Sequence, residues 1–415
     1  MKSASVSKSN QPYLFLCVEL LFIVFSIHIK NLERGLFTLR NIAILLSLLM
    51  LLIYGFSFKK TNKNDRIWVI TMLLFGLYSL FLCFFNSNPL YDSHSSFRSI
   101  INFIIMVVIF PLFFCKLEKN PRRICSAIIL VSFVQSSIVI LSFLSPAFKN
   151  YLYEIQSFDK DWLIYRTVGL GIAGAVGSVY LFCGVLLNCY YLIFYEKRII
   201  NYLALLVNVF AIILVGRTGF YMSVVVLVTS FIIELRGPQR KAFINLMEKL
   251  LVAIIVSVFL VFIISKGFKI NDALLISSFN RLRELWAGDT IQEIAKMDIP
   301  KLTLLTLFFG TGAEKGVTFD GSVIWNDSGY IQRYMGLGLI PAIISYLILA
   351  CYLVSLNKKI GHPKKRAFWY VAIILMFIIE YKESFIFALA LPFVLIVLLK
   401  TEISEGSNTE CLCNY

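Results

Sequence analysis

Twelve runs of mostly apolar residues fill this chain, and they leave few folds open to it. They centre on 13–29, 38–58, 67–85, 99–115, 124–145, 167–194, 199–215, 219–234, 250–265, 331–356, 368–380 and 384–399. A helix that crosses a bilayer needs about 20 such residues. Backbone polar groups in lipid must be satisfied within the protein, so irregular backbone cannot face the hydrocarbon. A chain that is 59% hydrophobic, with a mean hydropathy of +0.81, has far too much apolar sequence for a soluble core. The expectation is an all-α polytopic membrane protein, with 1–415 a single integral-membrane domain of about 12 transmembrane helices. The first run is not read as a cleaved signal peptide, because no small-residue cleavage site follows it and further spans do.

Lysine and arginine orient these runs. With the N-terminus inside, the inner loops and tails carry 22 of them and the short outer loops 9. Long loops are left out of this count because they translocate largely regardless of charge. The alternation holds at every crossing, which gives an even number of spans and both termini cytoplasmic. The net charge of +15 is therefore mostly topological and does not call for a nucleic-acid partner. Seven cysteines lie in or beside spans, and Cys411 and Cys413 lie in the inner tail, so no disulfide framework is indicated. His28, His94 and His362 form no cluster. No metal and no cofactor are expected.

One polar stretch interrupts the apolar pattern, the large outer loop 266–330 between spans nine and ten. A loop of this length inside a compact protein is usually functional. Ser277 to Ala287 places Phe279, Leu282, Leu285 and Trp286 on one helical face. Asp289 to Lys296 reads as a second short helix, with Asp289 as cap and Gln292 three residues on. Lys301 to Phe309 is apolar enough to lie on the membrane surface, and Gly310 and Gly312 break it.

Two weak motifs have plainer explanations. Gly169-Leu170-Gly171-Ile172-Ala173-Gly174 matches a dinucleotide fingerprint in letters, but it opens a transmembrane run instead of following a strand. Close packing of small residues between helices accounts for it. Asp159 and Asp161 are two acids in a polar loop, and a hard cation needs more oxygen ligands than they supply. With no nucleotide site, the energy for any reaction must come from the substrate.

Charges at membrane depth are more informative. Arg217 sits in a short break between two apolar runs, and Arg166 ends the outer loop before span six. Lys382 and Glu383 occupy another short break. Arg281 and Arg283 lie on the amphipathic stretch, and Arg333 follows Tyr330 by less than a turn. The charge alternation puts all of them on the outer side. Each taken alone also reads as interfacial anchoring, or as pairing with Glu284, Glu380 or Glu383. Together they point to a substrate site, because ionisable groups at this depth usually mark one. Arginine suits bidentate capture of phosphate oxygens. Glu19 stands alone in span one and reads as a helix-packing hydrogen bond.

A lipid-linked diphosphate sugar fits several arginines and a carboxylate at an outer membrane face. Its transfer needs cations for the departing diphosphate and a base for the attacking hydroxyl. Gly216-Arg217-Thr218-Gly219, the loop with Arg281, Arg283 and Trp286, and Gly310-x-Gly312 leading to Asn326-Asp327-Ser328-Gly329-Tyr330 and Gly336-x-Gly338 then resemble bacterial O-antigen polymerases of the Wzy type. Some members of that family carry Arg-x10-Gly in two outer loops. Arg166 and Gly177 reproduce it in the third outer loop, and Lys301 and Gly312 are the nearest equivalent in the long one.

The resemblance implies a glycosyltransferase of the bacterial inner membrane, acting in lipopolysaccharide biosynthesis. It would join undecaprenyl-diphosphate-linked oligosaccharide repeat units at the periplasmic face, making 266–330 a periplasmic loop. A chain-length regulator is a candidate partner. On this reading Arg217 and Arg281 hold the donor diphosphate and Asp327 activates the acceptor hydroxyl. Arg166, Arg283, Tyr330, Arg333, Lys382 and Glu383 bind substrate. Asp327 also reads as the cap of a helix beginning near Gly329. The rivals are an O-antigen ligase, which places a histidine where this chain has Asn326 or Asp327, and a lipid-linked oligosaccharide flippase.

Overall fold

The computed structural model describes residues 12–25, 41–46, 49, 62–85, 95–156, 167–171, 174–235, 304–314, 316–317, 323–324, 327–382, 384–387 and 390–413. In chain order the helices are α1 (Tyr13–Phe25), α2 (Lys63–Phe85), α3 (Ser95–Phe103), α4 (Phe110–Leu117), α5 (Pro121–Leu144), α6 (Pro146–Gln156) and α7 (Gly174–Phe194). They continue with α8 (Ile199–Val215), α9 (Arg217–Leu235), α10 (Leu304–Phe309), α11 (Gly329–Leu337), α12 (Leu339–Lys358), α13 (Pro363–Lys382) and α14 (Ala390–Cys413). A two-residue antiparallel ladder, β1 (Gly316–Val317) with β2 (Val323–Ile324), lies between α10 and α11. Among the described residues, six helical stretches are long and apolar enough to cross a membrane: α2, α3 through α4, α5, α7, α9 and α12. The chain is a multi-pass, all-α membrane protein. The expected span 250–265 and the two loop helices lie outside the described residues.

The helices gather into two compact units. One contains 1–46, 120–290 and 362–372, and the other 47–119, 291–361 and 373–415.

In the first unit α7 is buried along nearly its whole length against α5, α8 and α9. Small and polar residues allow this. A Cβ on Gly184 would lie 1.9 Å from Ser132 Oγ, so only glycine admits α5 so closely. Ser136 Oγ donates to Asn208 Oδ1 at 2.7 Å, and Asn188 Nδ2 donates to the Asn201 carbonyl at 2.9 Å. Such contacts replace the hydrophobic drive that is missing between helices in lipid. Asn120 caps α5 by accepting from the backbone of Arg122 and Arg123, with Pro121 in the first turn. At the same end Arg122 pairs with Glu196, Arg198 with Glu196, and Lys197 with Glu234.

The apolar run 167–194 is not one helix, as the hydropathy suggested. Helix α7 begins only at Gly174, and residues 167–171 are not helical. Amide side chains satisfy the backbone there. Gln135 exchanges two hydrogen bonds with Leu170, and Gln156 takes Gly171 N–H while donating to the Gly169 carbonyl. Ser142 Oγ donates to the Val168 carbonyl at 2.7 Å. Irregular backbone at membrane depth is stable only when buried and paired in this way. Within the Gly169–Gly174 motif, Gly171 and Gly174 take positive φ angles of 71° and 61°, a backbone conformation that favours glycine. The expected close contact of small residues is found at its end and one turn on, where Gly216 meets Gly174 and Gly219 meets Ser178.

In the second unit α3 passes into α4 through a π turn, Ile104–Ile109. Pro111 has no N–H to give and its ring would crowd a regular turn. The wider turn absorbs this, with Phe110 N–H bonding to the Ile105 carbonyl. Phe110 and Phe114 pack on Phe393 of α14 at ring separations of 5.6 and 5.7 Å.

The expected span 331–356 is also broken. Gly338, at φ 85°, separates α11 from α12. The chain after α10 docks into that break. Thr311 N–H bonds to the Met335 carbonyl and Gly312 N–H to that of Gly336, at 2.8 and 2.9 Å. These are carbonyls that the end of α11 leaves without helical partners. A Cβ at Gly338 would lie 2.2 Å from the Phe308 carbonyl oxygen, and one at Gly310 2.4 Å from the Leu337 backbone. The two Gly-x-Gly motifs are therefore one backbone-to-backbone contact. Finally, the run 384–399 becomes helical only at Ala390, and 384–387 form a turn at the end of α13.

Candidate functional site

The second unit buries a group of charges where α3, α11, α13 and the Gly310–Glu314 segment end together. Arg333, on the buried face of α11, is 0% exposed. Its Nη2 holds both Glu314 and the Ser99 hydroxyl. Its guanidinium carbon lies 3.4 Å above the centre of the Phe387 ring, a cation–π contact that gains strength when water is excluded. Nε and Nη1 have no hydrogen-bond acceptor among the described residues. The Glu314 side chain is 14% exposed, so it forms the outward-facing half of the pair. Glu314 N–H donates to Ser95 Oγ at 3.0 Å, fixing the segment on the start of α3.

Glu380 lies beside this pair, fully buried at the end of α13. Tyr346 donates its hydroxyl to Oε1 at 2.7 Å, and Ile386 N–H bonds to Oε2 at 2.6 Å. The Tyr346 ring meets Phe387 edge-on at 6.1 Å, so arginine, phenylalanine, tyrosine and glutamate form a continuous series. A Cβ at position 329 would lie 2.1 Å from Glu380 Oε1. Only glycine lets the carboxylate sit against the first turn of α11, where the helix dipole favours a negative charge.

Of the residues singled out from sequence, Arg333 and Tyr330 belong to this group. Tyr330 packs on Tyr346 at 4.8 Å and donates its hydroxyl to the Phe377 carbonyl at 2.7 Å. Burial, with the Glu380 charge adding to it, pushes that hydroxyl up to about 12, so it stays a donor. Asp327 is exposed and precedes α11, but Ser328 is the N-cap residue. The expectation that Asp327 caps this helix is corrected. Its carbonyl accepts from Gln332 Nε2 at 3.5 Å. Lys382 is half-buried in the last turn of α13. Arg166, Arg281, Arg283 and Glu383 lie outside the described residues.

Arg217 belongs to the first unit, where it is half-buried as the first residue of α9. The glycines around it are explained by contact. A Cβ at Gly219 would lie 2.3 Å from the Ser178 carbonyl oxygen, and one at Gly216 2.9 Å from that of Gly174. Gly219 N–H bonds to Ser178 Oγ at 3.0 Å, and Thr167 Oγ1 donates to the Leu214 carbonyl at 2.6 Å. The break that presents Arg217 is thus clamped to the start of α7 and to the non-helical 167–171 segment.

Glu314 was missed by the sequence reading, and Glu380 was considered only as a pairing partner. The signal for Glu380 was present, since it is an ionisable group closing an apolar run. Glu314 had none, because its partner lies across the β1–β2 ladder. The fold and this group define a multi-pass helical membrane protein with a buried charge cluster at one end of a helical unit. No protein-family model matches the chain, and no curated protein matches it in sequence.

Proposed function

We propose that this chain is a repeat-unit polymerase of the O-antigen (Wzy) type. It would join undecaprenyl-diphosphate-linked oligosaccharides by glycosyl transfer at the periplasmic face of a bacterial inner membrane. The remaining expected runs complete about 12 spans with both termini cytoplasmic and 266–330 as the periplasmic loop. The observation that carries the reading is Arg333, a dehydrated, pre-positioned cation with two guanidinium nitrogens that have no acceptor among the described residues. Its present anion, Glu314, is the more exposed partner. A phosphate oxygen taking the place of the Glu314 carboxylate exchanges one anion for another and offers acceptors to the idle N–H groups.

In the reaction the acceptor hydroxyl attacks the anomeric carbon and the bond from that carbon to the diphosphate oxygen breaks. The hydroxyl proton passes to a carboxylate, for which exposed Asp327 is the candidate. Fixed cations stabilise the diphosphate as it leaves. The alternation of charge supports the side assigned: Ser95–Ser99, Glu314, Arg333 and Phe387 lie in outer loops or at the outer ends of expected spans.

Deleting the gene and examining surface lipopolysaccharide by gel tests this. Core capped by a single repeat is expected, with a full ladder restored by the wild type and not by Arg217→Ala at equal expression. Bare core would indicate a ligase or a flippase, and a normal ladder with Arg217→Ala would overturn the role given to that residue.

A further inference from the structure

At the opposite end of the second unit, a groove of about 370 Å³ runs between α2 and α12. That is within the range of ligand-holding clefts, about 300–1,000 Å³. Its walls include Ile344 and Leu347, both largely exposed, and its floor is Trp68 stacked on Tyr352 at 4.6 Å. Asn64 Nδ2 donates to Ser355 Oγ at 3.3 Å and closes one end. Trp68 is 2% exposed, and its indole N–H has no acceptor among the described residues. A buried donor of this kind normally finds a partner.

Three exposed lysines stand next to the closed end in the described chain. Lys63 adjoins Asn64, and Lys358 and Lys359 follow Ser355 by one turn, all three exposed. The neighbouring acid is already used: Asp65 accepts from Tyr352 at 2.8 Å and from Lys400 at 2.7 Å. An apolar channel and an indole N–H with no acceptor among the described residues lie in one groove, and exposed lysines adjoin its closed end in sequence.

We propose that this groove binds one anionic phospholipid. An acyl chain lies over Trp68 between Ile344 and Leu347, an ester or phosphate oxygen accepts from the indole N–H, and the phosphate rests among Lys63, Lys358 and Lys359. Basic pockets between spans at the cytoplasmic side commonly hold anionic headgroups. The site is independent of the polymerase reading and stands or falls without it.

Native mass spectrometry of the full chain in detergent, titrated with phosphatidylglycerol or phosphatidylcholine, tests the proposal. One phosphatidylglycerol per chain should bind on the order of tenfold more tightly than phosphatidylcholine. Joint Lys63→Gln, Lys358→Gln and Lys359→Gln should abolish that preference, and Leu347→Trp should remove both lipids by filling the channel. Equal binding of the two lipids, or binding unchanged by Leu347→Trp, would overturn it. So would a dimer that crosslinks through Cys351, an exposed residue of the groove wall, and excludes lipid.

Discussion

The second unit holds a buried charge group at each end, and the two are built differently. At one end Asp65 has both carboxylate oxygens engaged, one by Tyr352 and one by Lys400. At the other, Arg333 uses a single nitrogen for Glu314 and Ser99 and leaves two without acceptors among the described residues. The first group closes its own account of hydrogen bonds and ties α2, α12 and α14 together. The second keeps donor capacity that the protein does not consume. A buried ion pair by itself is weak evidence of anything but structure. Idle donors on a dehydrated cation are stronger evidence of a ligand, because such groups are costly to leave unmade.

The largest effect should come from breaking the open group. Arg333→Met leaves Glu314 without its cation beside an apolar site. Removal of one partner from a buried pair costs about 3–5 kcal/mol, and thermal unfolding in detergent should show a large fall in Tm. An unchanged Tm would mean that the Arg333–Glu314 pair contributes little to the fold.

Next is Gly329→Ala. Its Cβ falls on the Glu380 carboxylate, so the side chain or α11 must shift. Overpacking of this kind costs about 1–3 kcal/mol. Gly361→Ala, where a Cβ meets nothing within 4 Å, is the matched control and should be close to neutral in the same unfolding assay.

Tyr330→Phe removes one buried donor from the Phe377 carbonyl and should cost about 1 kcal/mol. Because burial holds the hydroxyl up at about 12, it is protonated below that pH in the folded protein. The bond it makes should be insensitive to pH across the neutral range, and a stability difference from Tyr330→Phe that varies between pH 6 and pH 9 would contradict this.

The smallest effect is expected from replacing the closed group as a whole. Asp65→Leu with Lys400→Leu removes both charges at once, and such paired replacements are often neutral or stabilising. Activity should survive. If this double variant lost as much stability as Arg333→Met, the contrast between the two ends would fail.

Most helices were legible because their apolar runs are long, and α2, α5 and α9 fall where hydropathy put them. Hydropathy could not register the non-helical 167–171 segment, since Gln135, Ser142 and Gln156 satisfy its backbone from other helices. Nor could it place the break at Gly338, which depends on Gly310 and Gly312 arriving from across a ladder. The candidate site was legible in part. Arg333 and Tyr330 stood out as polar residues next to an apolar run. Their partners Ser99, Glu314 and Glu380 come from three distant stretches, and only the fold brings them together.

The most direct measurement is polymerisation by the purified full-length chain supplied with undecaprenyl-diphosphate-linked repeats. Product length would be read for the wild type, for Arg333→Met with Glu314→Leu, and for Asp65→Leu with Lys400→Leu. Both double variants remove a charge pair whole, so folding is matched as closely as chemistry allows. A ladder from the wild type and the Asp65/Lys400 variant, with none from the Arg333/Glu314 variant, is the predicted result. A normal ladder from the Arg333/Glu314 variant, or none from the wild type, would contradict it.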